Sequence, residues 1–225
     1  MKIRIKFAKE GAMKYIGHLD IMRYFQKAMR RADVDIKYSE GFSPHQVMSF
    51  ASPLGVGLTS RGEYLDIEVN TTQSSKEMVD RLNAVMVEGM EILSYRRLSE
   101  GAGNAMSIVA AADYTVWLDE ECRPADLKER CQALLDREEI LVQKKTKKGL
   151  TEVDIRPMIL ALKSVSDGVF MRLCSGSAAN LKPELVLDAL GFQLSYGQFQ
   201  INRQEVYAEQ DGVLVPLEEL GEEIE

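Results

Sequence analysis

Runs of period two alternate with runs of helical period along the chain, and that switching limits it to folds in which strands and helices are interleaved. "KIRIKFA" at 2–8 puts Ile3, Ile5 and Phe7 on one side and Lys2, Arg4 and Lys6 on the other, as a half-buried strand does. "HLDIMRYFQKAMRRA" has Leu19, Met22, Phe25 and Met29 at helical spacing, with Arg23, Lys27 and Arg30 at i, i+4 and i+7 on its other face. A short strand, "VDIKYS", a long loop and a second alternating run, "EYLDIEV" at 63–69, come next. Then "SSKEMVDRLNAVM" reads as a helix opened by Ser74 and Glu77 in capping-box spacing, and "GMEILSYRRL" as a closing strand. The order is βαββαβ, the ferredoxin-like split βαβ motif.

"GAGNA" at 101–105 has the composition of a linker. The same order then recurs, as strand "DYTVWLD", helix "RPADLKERCQALLD", strands "EILVQKKT" and "VDIRPMILALKSV" joined through "KKTKKG", and strand "GVFMRLCS". The helix "NLKPELVLDALG" has Asn180 as its expected N-cap and Gly191 just past its end, and "FQINRQEVYA" is a last strand. The expected architecture is α+β with two tandem ferredoxin-like halves, at 1–100 and 106–209, and an acidic tail at 210–225. At 225 residues and 45% hydrophobic, the chain can bury the cores this requires.

The net charge of -7 is unevenly placed. Residues 1–37 hold ten Lys and Arg against four acids, a net of +6, while 204–225 hold eight acids and no base. Such asymmetry suggests a basic working face and an acidic end. Cys122, Cys131 and Cys174 form no C-x-x-C pair, which argues against a disulfide framework, a zinc site and a cysteine-ligated iron–sulfur cluster. No cofactor or metal is expected. No apolar run approaches the ~20 residues that span a bilayer, so no membrane contact is expected and the setting inferred is cytoplasmic.

The densest stretch is "YSEGFSPHQVMSFASPLGVG", Tyr38 to Gly57. Gly41 permits an unusual turn, and Pro44 holds Ser43 extended. Phe42 is either a core plug or a stacking platform for a base. His45 in this loop and His18 at the helix start are the only histidines. Each is a candidate acid–base group, since imidazole titrates near neutrality, and each is equally a packing residue. "PLGVG" lacks the spacing of a P-loop. Lys144, Lys145, Lys147 and Lys148 crowd one turn, where mobile bases suit phosphate contacts.

The run from Phe7 to Val69, with "KYIGHLD", "AMRRA", "YSEGFSPH", "PLGVG" and "EYLDIEV", resembles the radical-SAM-linked protein family, a bacterial domain of unknown function. "KKGLTEVDIRP" resembles the family's second half more loosely. The resemblance covers about 65 residues and implies a partner, because members are encoded beside or fused to a cobalamin-binding radical-SAM protein. This chain has no cysteine triplet for a radical-SAM cluster, so it is not expected to be the radical enzyme itself.

Three functions stay open. The first is a non-catalytic accessory module that binds RNA, tRNA or rRNA, through Lys14, Arg23, Lys27, Arg30, Arg31, Phe42, His45 and the lysine turn. The second is a protein-interaction subunit that binds no nucleic acid. The third is a metal-independent RNA-cleaving enzyme using His18 or His45.

Overall fold

The period-two run at the N-terminus forms β1 (Lys2–Lys9), and α1 (His18–Arg31) follows a 3-10 turn at Gly11–Tyr15. Next come β2 (Met48–Phe50), β3 (Thr59–Glu68), α2 (Ser75–Asn83), β4 (Met90–Leu98) and the short α3 (Ala105–Ile108). The computed structural model describes residues 1–146, 149–195 and 197–225, which divide into two units, Met1–Val109 with Glu205–Glu225 and Ala110–Gln204. In the first unit β1 lies antiparallel between β3 and β4, with Ile5 opposite Leu65 and Tyr95. β2 pairs antiparallel with β3, Phe50 opposite Leu65.

One core forms where Ile3, Ile5 and Phe7 meet Phe25 and Met29 of α1 and Met78 and Leu82 of α2. The Ser74–Glu77 capping box is present, with the Glu77 backbone N–H donating to the Ser74 hydroxyl. The helix α1 buries Ile21, Phe25, Ala28 and Met29. Leu19, expected on the apolar stripe, is exposed instead. The strand expected at 34–39 is reduced to two single bridges, Ile36 to Val69 and Tyr38 to Gln46. Asp33 turns the chain at φ +50. Asp35 then accepts from Asn70 and Thr71, bonds that hold its carboxyl below the usual range. The segment therefore closes on the end of β3, and the edge pairing passes to Met48–Phe50.

The second unit runs β5 (Val109–Leu118), α4 (Leu127–Leu135), β6 (Leu141–Thr146), β7 (Gly149–Asp154), β8 (Ile159–Val165), β9 (Gly168–Cys174), α5 (Pro183–Ala189) and β10 (Phe199–Gln210). β9 lies antiparallel between β5 and β8, and β10 neighbours β5 on the far side. β6 and β7 pair only with each other, as a separate two-stranded sheet. The single strand expected across 153–165 is broken by Pro157, which sits in a 3-10 turn at Arg156–Met158 and cannot donate to a ladder. The N-cap of α5 is Lys182 and not Asn180, because Pro183 takes the first helical position, where a missing N–H costs nothing. Gly191 follows the helix at φ +84, as its spacing predicts.

Gly168 opens β9 at φ +155, and a Cβ there would stand 1.9 Å from the Val116 carbonyl oxygen. Gly168→Ala must push β5 and β9 apart. It is expected to cost about 3 kcal/mol, the upper end of overpacking, read as a fall in urea midpoint at unchanged slope.

Beyond Gln204 the chain belongs to the first unit again. β11 (Val213–Pro216) pairs back on β10, and β12 (Gly221–Glu222) pairs with β4. Leu217, between them, is fully buried. Of the acidic residues at 210–225, Asp211 lies in a turn, Glu218 and Glu219 in a 3-10 turn and Glu222 in β12. The class is α+β, with five helices among the described residues, none of them long and apolar enough to cross a membrane.

Candidate functional site

Three aromatic rings set the position of α1. Phe25 lies 4.7 Å from Phe7 and 5.7 Å from Phe50, centroid to centroid, and Phe7 lies 6.0 Å from Phe50. Each buried ring of this kind stabilises by about 1.5–3 kcal/mol. The His18 ring stands edge-on to Phe50 at 5.1 Å, so His18 is half-buried and packed at the start of the helix. Asp20 in the first turn and Arg30 and Arg31 in the last suit the helix dipole.

The outward face of α1 carries Arg23, Lys27, Arg30 and Arg31, all exposed. Arg23 pairs with Asp20 at 3.1 Å. Both side chains are mostly in water, where such a pair contributes at most about 1 kcal/mol. Lys27, Arg30 and Arg31 form no ion pair among the described residues. Arg31 donates to the Val85 carbonyl at 3.1 Å and lies over the Tyr24 ring. Lys14 sits over the Tyr15 ring at 5.3 Å.

Beside this face stands a hairpin. Ser39 N–H donates to the His45 carbonyl and Val47 N–H to the Lys37 carbonyl, each at 2.8 Å. Gly41, at φ +107, lets the chain reverse between them. Phe42, on that reversal, is fully exposed, which removes the core-plug alternative. The Ser39 hydroxyl accepts the His45 backbone N–H at 3.1 Å and lies 2.9 Å from His45 Nδ1. The hydroxyl can donate to Nδ1 or accept from it, according to the tautomer of the ring.

The root of the hairpin is fixed to the helix. Buried Gln46 donates from Nε2 to the Gln26 carbonyl at 3.3 Å and to the Tyr38 hydroxyl at 3.4 Å. Arg30 Nε donates to the same Gln26 carbonyl at 3.3 Å. One backbone oxygen therefore gathers the hairpin root and a cation of the helix. Gln26, Tyr38 and Gln46 were not among the sequence-based candidates. Only the position of Gln46, next to His45, hinted at it.

A second turn meets the start of α1, where Gly57 N–H donates to the Lys14 carbonyl at 2.8 Å. Val56 is exposed there, as are Tyr15, Ile16 and Leu19.

The +6 count over residues 1–37 overstates the basic face. Arg4, Lys6 and Lys9 are not on it. Arg4 is buried in a fork onto Asp66 at 2.8 and 2.9 Å. Lys6 contacts Glu205 at 2.6 Å and Glu218 at 2.5 Å. Burial alone would lower the Lys6 ammonium, but those two carboxylates raise it above its usual value. Tyr64 donates to Glu205 at 2.5 Å, and its hydroxyl is pushed far up by burial and by that carboxylate. Lys9 is buried and donates to the Ile16 carbonyl at 2.8 Å. Arg4 and Lys6 do lie opposite Ile3, Ile5 and Phe7, as period two predicts, but residues 205–218 contact them.

The lysine turn belongs to the second unit. Lys144 and Lys145 pair through β6 with Thr151 and Leu150, and Lys147 and Lys148 lie outside the described residues. On that hairpin Leu141 and Leu150 are exposed.

The fold and this surface define an α+β protein with an aromatic-tipped hairpin pinned beside a cationic helix. The chain belongs to a family described as uncharacterized protein conserved in bacteria (DUF2344), whose model matches residues 2–183. No curated protein matches it.

Proposed function

We propose that this protein is a non-catalytic accessory module that binds structured RNA, tRNA or rRNA, and presents it to a radical-SAM partner. The observation that carries the reading is that the Gln46–Gln26 bond joins the hairpin of fully exposed Phe42 to α1, whose Lys27 and Arg30 form no ion pair among the described residues. Stacking on an aromatic ring next to phosphate-directed bases is how unpaired nucleic acid is bound. The partner rests on the family resemblance alone. We further read the strand orders β2-β3-β1-β4 and β8-β9-β5-β10 as two ferredoxin-like halves. That fold hosts many functions and is an analogy here. Neither histidine is hydrogen-bonded to a carboxylate among the described residues, and His18 is packed on Phe50, which weakens the RNA-cleaving alternative. The protein-interaction alternative is favoured by one observation, the exposed Tyr15, Ile16, Leu19 and Val56 at the start of α1.

A salt titration on tRNA and rRNA fragments separates the readings. Binding is expected to weaken steeply with salt, because each neutralised phosphate releases counterions. Charge reversal of Arg23, Lys27 and Arg30 to Glu is expected to lower the slope by roughly one unit per lost contact. All three positions are exposed, where a single substitution costs about 0.5 kcal/mol, and melting of the variant, measured alongside, separates lost binding from lost fold. No binding by the wild type at about 50 mM salt removes the RNA reading and leaves the protein partner.

A further inference from the structure

We propose that the Tyr38–Gln46 hairpin selects RNA with an unpaired nucleotide, a bulge, loop or end, by stacking its base on Phe42 and meeting its phosphates with His45 and Arg30. This rests on the RNA reading and narrows it to a substrate class. In a duplex both faces of every base are already stacked, so an aromatic platform gains nothing from paired RNA and binds bases that are splayed out. Phe42 is such a platform. Its ring is fully exposed, on a reversal that Gly41 makes possible and Pro44 stiffens.

The hairpin is ordered before any ligand arrives. Its cross-strand bonds, the Ser39–His45 pair and the Gln46 anchor on α1 hold it, so little ordering remains to oppose binding. The polar groups of the hairpin and of α1 suit a phosphodiester. His45 is exposed, with its Nδ1 2.9 Å from the Ser39 hydroxyl, and Arg30 presents a guanidinium that no carboxylate neutralises among the described residues. An apolar groove on a protein partner would leave both of these groups desolvated and unpaired.

The test compares two blunt-ended RNA duplexes of the same sequence, one fully paired and one with a single bulged 2-aminopurine, by anisotropy and by quenching of the probe on the full-length protein. The bulged RNA is expected to bind about 5- to 150-fold more tightly, the range of one stacked base, with its fluorescence quenched. Phe42→Ala is expected to abolish both the preference and the quenching while leaving the salt slope unchanged, and Phe42→Trp to keep them. His45→Gln keeps a donor and is expected to retain more affinity than His45→Ala. Equal affinity for the two RNAs overturns the inference and leaves general RNA binding intact. Failure to bind either RNA overturns both, and then Phe42 is an anchor for a protein.

Discussion

Arg4→Leu lowers the unfolding free energy by about 3–5 kcal/mol, the cost of breaking a buried ion pair by removing one partner. The guanidinium is almost fully buried and has three sets of partners. It forks onto Asp66 at 2.8 and 2.9 Å, and donates to the Leu217 carbonyl at 3.1 Å and the Gly103 carbonyl at 3.3 Å. Leucine fills most of the space but leaves the Asp66 carboxylate without its cation. The Ala105 N–H at 2.8 Å still donates to it, yet one N–H does not offset a charge held away from water. Asp66→Asn in the Arg4→Leu background therefore recovers part of the loss, since it removes the stranded charge and keeps an acceptor for Ala105. Arg4→Lys falls in between, because an ammonium cannot fork. Urea unfolding followed by circular dichroism measures the series. A loss under about 1 kcal/mol for Arg4→Leu would show that the fork contributes little beyond packing.

This residue marks how far the sequence could be read. Period two correctly sets Arg4 and Lys6 opposite Ile3 and Ile5, because alternation is a property of the strand alone. Whether that second face meets water depends on residues 205–218, some two hundred positions later, and no local pattern carries it. Leu19 and Ile21 teach the same lesson. Two stripes through Phe25 and Met29 are open to α1, one including Leu19 and one including Ile21, and the sheet beneath decides between them. The capping box at Ser74 and the left-handed Gly191 were legible because their signals are local. Pro157 and Pro183 were equally local signals, and they overrule longer patterns that seemed to run through them. At the candidate site, Phe42 and His45 could be picked out by type. Their placement beside α1 could not, because the Gln46–Gln26 bond that joins hairpin and helix links two unremarkable glutamines.

Deleting residues 211–225 unfolds the first unit or brings it close to unfolding. Read as a free acidic tail, this segment would compete for the basic face, and its loss would tighten RNA binding at low salt. Its place in the structure gives the opposite expectation. Leu217 is fully buried, and Leu217→Ala alone is expected to cost about 2–5 kcal/mol through lost transfer and a cavity. The deletion also removes the β11 pairing on β10 and the β12 pairing on β4. It takes away one acceptor from Arg4 and one carboxylate from Lys6. It strips the start of α2 of a reciprocal pair, in which Ser75 N–H donates to the Ile224 carbonyl and Ile224 N–H to the Ser75 hydroxyl, both at 2.9 Å. Together these exceed the Leu217→Ala loss and reach the about 5–15 kcal/mol that holds a whole domain. Thermal melting compares full-length protein, Leu217→Ala and the truncation. At roughly 2–4 °C per kcal/mol for a chain of this size, the point variant melts well below the wild type and the truncation lower still or without a cooperative transition. A truncated chain that melts within a few degrees of the full-length protein would return 211–225 to the status of a tail, and the competition for RNA would then be the effect to measure.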